Sequence, residues 1–146
     1  MILDSRLEFG NTDDMYSNAS TVLSENVIDT ESARDFGQGQ PLYLVIVVTT
    51  AFAGGTSVNF TLASDAAAAV ATDGSASEHV STGAIPTATA AAGFSLALVV
   101  PNEGQAYERY LGLLATTVGN MTAGAVDAFL TFEPSRWNAE PDSGIN

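Results

Sequence analysis

Few residues in this chain can do chemistry. His79 is the single histidine. Beside Glu78 it could act as a lone general base, but one imidazole cannot supply a histidine-rich metal site. No serine sits in a Gly-x-Ser-x-Gly turn and cysteine is absent, so a nucleophilic triad has no support. His79 therefore reads as a solvated strand or loop residue. Asp13-Asp14 follows Asn11, without the Asp-x-Asp-x-Asp-Gly spacing of a calcium loop. Neighbouring side chains on an extended chain point to opposite sides, so one ion rarely takes both. Glu103 and Glu108 flank a turn and the start of a strand with Arg109 at hand, which reads as a surface ion pair. Gly37-Gln38-Gly39 and Gly54-Gly55 lack the Gly-Lys-Ser/Thr and the helix that would present amides to a phosphate. They read as turns. No catalytic residue, metal site or cofactor is expected. What remains is surface, and surface points to binding or assembly.

Composition narrows the partners. The chain has 146 residues, one domain by size, with 46% hydrophobic residues, ordinary for a globular protein. Seventeen acids face four bases, all arginine (Arg6, Arg34, Arg109, Arg136), for a net charge of −13. Nucleic-acid binding draws its affinity from Lys and Arg on phosphates, and anionic membranes repel acidic chains, so neither partner is expected. A neutral or basic protein surface suits this charge. Without cysteine, disulfides and thiolate metal sites are excluded. The opening residues lack the basic and apolar regions of a signal peptide. No apolar run approaches the ~20 residues of a membrane span. A soluble product made in a cytoplasm is expected.

The elements that must position any site read as strands. Pro41–Thr50 is dense in β-branched and aromatic residues, and its unbroken apolarity predicts burial on both faces. Val58, Phe60 and Leu62 alternate with Asn59 and Thr61, as Phe94, Leu96, Leu98 and Val100 do with their neighbours. Arg109–Thr117 and Ala123–Phe132 are apolar, strand-length pieces. Gly119-Asn120 between them predicts a hairpin at the centre of the fold. Residues 1–40 read as an N-terminal segment of short strands and loops, able to serve as an arm, with Gly10–Asp14 a loop. Residues 41–132 form the core. The alanine-rich region at 63–92 is expected to be loop or a single helical turn, since six residues after Ser64-Asp65 are too few for a stable helix. Residues 133–146, with two prolines, read as an extended tail. Seven or eight short strands predict an all-β fold, an antiparallel jelly roll or β-sandwich in one domain.

Three stretches carry a resemblance: Met-Ile-Leu-Asp-Ser-Arg-Leu-Glu-Phe at the start, Glu108-Arg109-Tyr110-Leu111-Gly112-Leu113, and Thr122-Ala123-Gly124-Ala125-Val126-Asp127-Ala128-Phe129-Leu130-Thr131. With Val58–Asp65 and Arg136-Trp137, in this order, the chain resembles the capsid cement proteins of short-tailed bacteriophages, one of them from a Bordetella phage. The alanine-rich stretch matches that family least. The resemblance implies a jelly-roll homo-oligomer, dimer or trimer, on the exterior of an icosahedral virion. There it clamps neighbouring major capsid protein subunits and has no enzymatic activity. Arg6, Arg136 and Trp137 are the expected partner contacts, since Arg and Trp are favoured at interface hot spots. The alternative is a carbohydrate- or receptor-binding module displayed on the virion, using Tyr43, Tyr107, Tyr110 and Trp137 as aromatic platforms.

Overall fold

The computed structural model describes residues 4–34 and 39–134. After a 3-10 turn at Ser5–Leu7, ten strands follow: β1 (Glu8–Asp14), β2 (Thr21–Leu23), β3 (Ile28–Asp29), β4 (Tyr43–Ala53), β5 (Ser57–Asp65), β6 (Ser77–Ser81), β7 (Ile85–Pro86), β8 (Ser95–Val99), β9 (Tyr110–Val118) and β10 (Ala123–Thr131). Every pairing is antiparallel. One sheet has the order β1-β10-β4-β8. The other runs β2-β9-β5-β6, with β3 also on β9 and β7 also on β5. Among the described strands the first pairs with the last, and the chain passes between sheets at β1–β2, β3–β4, β4–β5, β7–β8, β8–β9 and β9–β10. This is the jelly-roll form of a β-sandwich.

The expected hairpin is a correction. β9 and β10 belong to different sheets, each between two other partners. β9 runs between β5 and β2/β3, and β10 between β4 and β1. Gly119 supplies the positive φ of the turn (+83°), but the turn carries the chain from one sheet to the other. It meets another crossing, β4 to β5, at Gly54. There φ is +93° and an added Cβ would lie 2.6 Å from the Asn120 carbonyl oxygen. Both crossings depend on glycine where they touch.

Gly10–Asp14 is a second correction. These residues belong to β1 and pair with β10, not a loop, and two register shifts interrupt the ladder. The shifts break the alternation that would mark a strand. β1, β2 and β3 build residues 8–29 into both sheets.

The core lies between the sheets. Phe9, Leu44, Ile46, Val48, Phe60, Leu62, Leu111 and Leu113 are all buried there. Phe52 meets Phe60 edge to face, with 5.8 Å between ring centres, a favoured aromatic geometry. A smaller apolar cluster forms on the outer face of the second sheet, where Val70 and Ala76 of the alanine-rich stretch cover Ala63 and Leu114. Residues 66–76 form no helix. Asp65 holds them down by accepting the Ala67 N–H on one carboxylate oxygen (3.1 Å) and the Ala71 N–H on the other (3.0 Å).

Candidate functional site

The residues singled out by type come together in one place only. A register shift between Leu62 and Ala63 leaves His79 of β6 without an opposite residue, and such a bulge re-aims a side chain. The His79 ring stacks on Tyr107 at 3.7 Å and 15°. Its Nε2 lies 2.8 Å from Ser64 Oγ of β5. Ser64 Oγ also accepts the Glu108 N–H (2.9 Å), Ser77 Oγ donates to Glu108 Oε1 (2.9 Å), and Tyr107 OH donates to the Pro101 carbonyl (2.6 Å). Burial pushes the His79 pKa down, opposed by the nearby Glu108 carboxylate. Burial thus favours the neutral ring, and in its contact with Ser64 either Nε2 or the hydroxyl can donate.

A serine on a neutral histidine has the look of a nucleophile and its base. Accessibility decides otherwise. Ser64 is 0% exposed, and its oxygen is already occupied by a backbone amide, so the hydroxyl has no approach for a substrate. The group is a knot that ties β5, β6 and the connection before β9. His79 is half-buried in this knot, not the solvated residue its polar neighbours suggested. Fifteen residues separate Ser64 from His79, and nothing in their spacing marks the pair.

Arg109 does not pair with Glu103 or Glu108. Its guanidinium grips Asp29 of β3 with two bonds of 2.8 Å and lies 4.9 Å from the Tyr110 ring centre. Glu108, its neighbour in sequence, turns to Ser77, as alternation along an extended chain requires. The Arg109 hydrogen bond, helped by the Glu31 N–H, holds the Asp29 carboxyl at a pKa of about 2. The bridge is solvent-exposed, and such pairs add little to stability.

Arg6 is exposed in the 3-10 turn and lines a cleft of about 440 Å³ with Glu8, Asn26, Asp29 and Glu31. Arg136 and Trp137 lie outside the described residues. A second cleft, of about 530 Å³, is lined by Arg34, Asn102, Glu103 and Tyr107 among others. Among the described residues the only salt bridge is Arg109–Asp29, so Arg6 and Arg34 pair with no described acid. Arg34, which was not among the expected contacts, donates from Nε to Ser32 Oγ (3.1 Å).

Of the proposed aromatic platforms, Tyr107 is buried under His79, Tyr110 is half-buried beside Arg109, and Tyr43 is half-buried on the first sheet. Trp137 is outside the described residues. Asp13 turns to accept the Glu25 N–H (2.7 Å). Burial raises its pKa, the Glu25 amide opposes this, and the charges of Glu25 and Asp14 add to the rise. No cluster of three or more acids and histidine suited to a metal occurs among the described residues, and no helix there is long and apolar enough to cross a membrane.

What the molecule offers is surface: an acidic composition, two clefts each lined by an arginine without an ion-pair partner among the described residues, and a few large apolar side chains more than half exposed (Val99, Val118, Phe132). A search of curated proteins found no match. The family model Bbp16 matches residues 15–130, from the end of β1 almost to the end of β10, and its name is consistent with a Bordetella phage protein. By that match, which takes in both sheets, the chain belongs to the Bbp16 family.

Proposed function

We propose that this chain is a structural protein of a phage particle. It binds the outside of the icosahedral capsid and cements neighbouring major capsid protein subunits, without enzymatic activity. The observation that carries the reading is the family match across nearly the whole sandwich. A jelly roll, an architecture shared with viral capsid domains, and the sealing of Ser64 are in keeping with it.

The mechanism is linkage. A protein that binds across a seam between subunits favours the assembled shell over separated subunits by mass action. Many copies per particle, each touching more than one subunit, add avidity. Packaged DNA pushes outward, and a clamp on the seam raises the pressure the shell withstands. A charge of −13 suits an exterior site away from DNA, on a basic patch of the shell. Arg6 and Arg34 would meet acids there, as would Arg136.

Purified particles test this. They are expected to contain the protein in many copies, and stripping it should lower their tolerance of heat and osmotic shock. Particles that lack it and remain equally robust would remove the clamping role.

A further inference from the structure

Four strand groups border the two sheets, and β8 is unlike the rest. β1 carries Glu8, Asp13 and Asp14 and two register shifts. β2 and β3 are three and two residues long, with Asp29 in β3 and Glu25 between them. β6 contains Glu78 and the bulge at His79, and β7 is two residues ending in Pro86. Acids, bulges, prolines and short length are the devices by which proteins keep a sheet edge from adding strands. β8, Ser95-Leu96-Ala97-Leu98-Val99, has none of them. Its register with β4 is unbroken over five residues, and residues 79–102 contain no acid and no arginine in a chain of net charge −13.

The ladder fixes which groups of β8 are free. Val100 N–H donates to the Leu42 carbonyl and Val48 N–H to the Phe94 carbonyl (both 2.8 Å). Leu96 and Leu98, between these bonds and in phase with them, also turn their amides and carbonyls to β4. The alternate residues Ser95, Ala97 and Val99 turn theirs away from the sheet. Their side chains are exposed on its outer face, while Leu96 and Leu98 are only half-buried on the inner side.

We propose that β8 pairs antiparallel with β8 of a second copy about a twofold axis at Ala97, joining two four-stranded sheets into one of eight. A second copy is favoured as occupant because the strand is complementary to itself. Ala97 faces Ala97, Ser95 faces Val99, and Leu96 faces Leu98, so half-buried leucines cover one another. No like charges are brought opposite, whereas the acids on β1, β3 and β6 would oppose pairing there. Such an isologous contact closes on itself as a dimer. The pairing refines the self-association of the cement reading, yet it is measured on the free chain. Its failure leaves cementing to the particle experiment, and failure on particles leaves the pairing untouched.

The absence of cysteine makes the test direct. Ala97→Cys places two thiols across a hydrogen-bonded pair with Cα atoms about 5.5 Å apart, within disulfide range. Under mild oxidation the full-length Ala97→Cys chain is expected to form a covalent dimer, twice the chain mass of 15.0 kDa. Ser95→Cys alone is expected to stay monomeric on a denaturing gel, but to cross-link when mixed with Val99→Cys. No cross-link at position 97, or equal cross-linking from all three single variants, overturns the proposal. On the unmodified chain, the amides of Ser95, Ala97 and Val99 should exchange slowly when concentrated and fast when dilute. Exchange that is fast at every concentration also overturns it.

Discussion

The two sheets treat their surroundings differently. The second sheet is sealed by its own chain. Residues 66–76 fold over its outer face, with Val70 seated above Gly112, and the His79 knot pins its edge strand β6. The first sheet ends at β8 with alternate amides turned away from the sheet and without a partner strand among the described residues, and Val99 is 54% exposed. The lesson is one of division: where the chain supplies its own cover, the side chains serve stability, and where it does not, backbone groups and apolar side chains stay at the surface.

Substitutions test that division, and the largest effect belongs on the sealed side. A Cβ on Gly112 would lie 2.7 Å from Leu23 Cδ1 and 3.1 Å from Val70 Cγ2. Gly112→Val is expected to lift the 66–76 segment and cost about 2–3 kcal/mol, read as a lower midpoint in denaturant. Val70→Ala keeps the space but loses buried methyl groups, at about 1–2 kcal/mol. If either change left the midpoint alone, the segment would not be a seal.

The His79 knot gives a pH dependence with a definite sign. Its folded pKa is depressed, so the unfolded chain binds the proton more readily, and stability falls as pH drops below the unfolded value of about 6.5. His79→Gln should flatten that part of the stability–pH curve, a smaller effect at neutral pH than the loss of Val70.

Asp65 is nearly fully solvated, so its two amide contacts are screened. Asp65→Asn removes one charged acceptor and is expected to cost about 0.5–1 kcal/mol. Its folded pKa lies below the usual carboxylate value, chiefly through the Ala67 and Ala71 amides. Its contribution is therefore complete above about pH 4 and lost as pH falls through the lowered value. Equal acid sensitivity in the two proteins would count against the pin. Smallest of all, Val99→Ser on the bare edge should change the stability of the isolated chain by less than about 0.5 kcal/mol. A large loss there would mean that β8 is packed after all.

Much of the architecture was legible because it rests on local pattern. The unbroken apolarity of Leu42–Val48 overstated burial on the outer face: Leu42, Leu44, Ile46 and Val48 lie in the core, whereas of the alternate residues Val45 is buried but Tyr43 and Val47 are only half-buried. Val58, Phe60 and Leu62 alternate because one face of β5 points inward. What could not be read was partnership. Gly119-Asn120 marks a reversal, but the same turn chemistry serves a hairpin or a crossing between sheets. The distinction depends on β4 and β5, more than fifty residues away. β1 was hidden by its bulges, and the Ser64–His79 contact depends on a register shift that leaves no trace in composition. Arg109 illustrates the same limit, since its acid lies eighty residues earlier.

The strand order also bears on the time at which the molecule can form. β9 and β10, the last two of the described strands in chain order, occupy the interior of both sheets. Until β9 has been made β2 has no ladder, and until residue 131 has been made β1 and β4 have no strand to join them. A nascent chain therefore holds two unfinished halves whose exposed edges resemble the one left at β8. Folding of the sandwich waits for β10, and the long-range pairings make it slow. In a crowded cell that interval is when the chain is most open to joining the wrong neighbour.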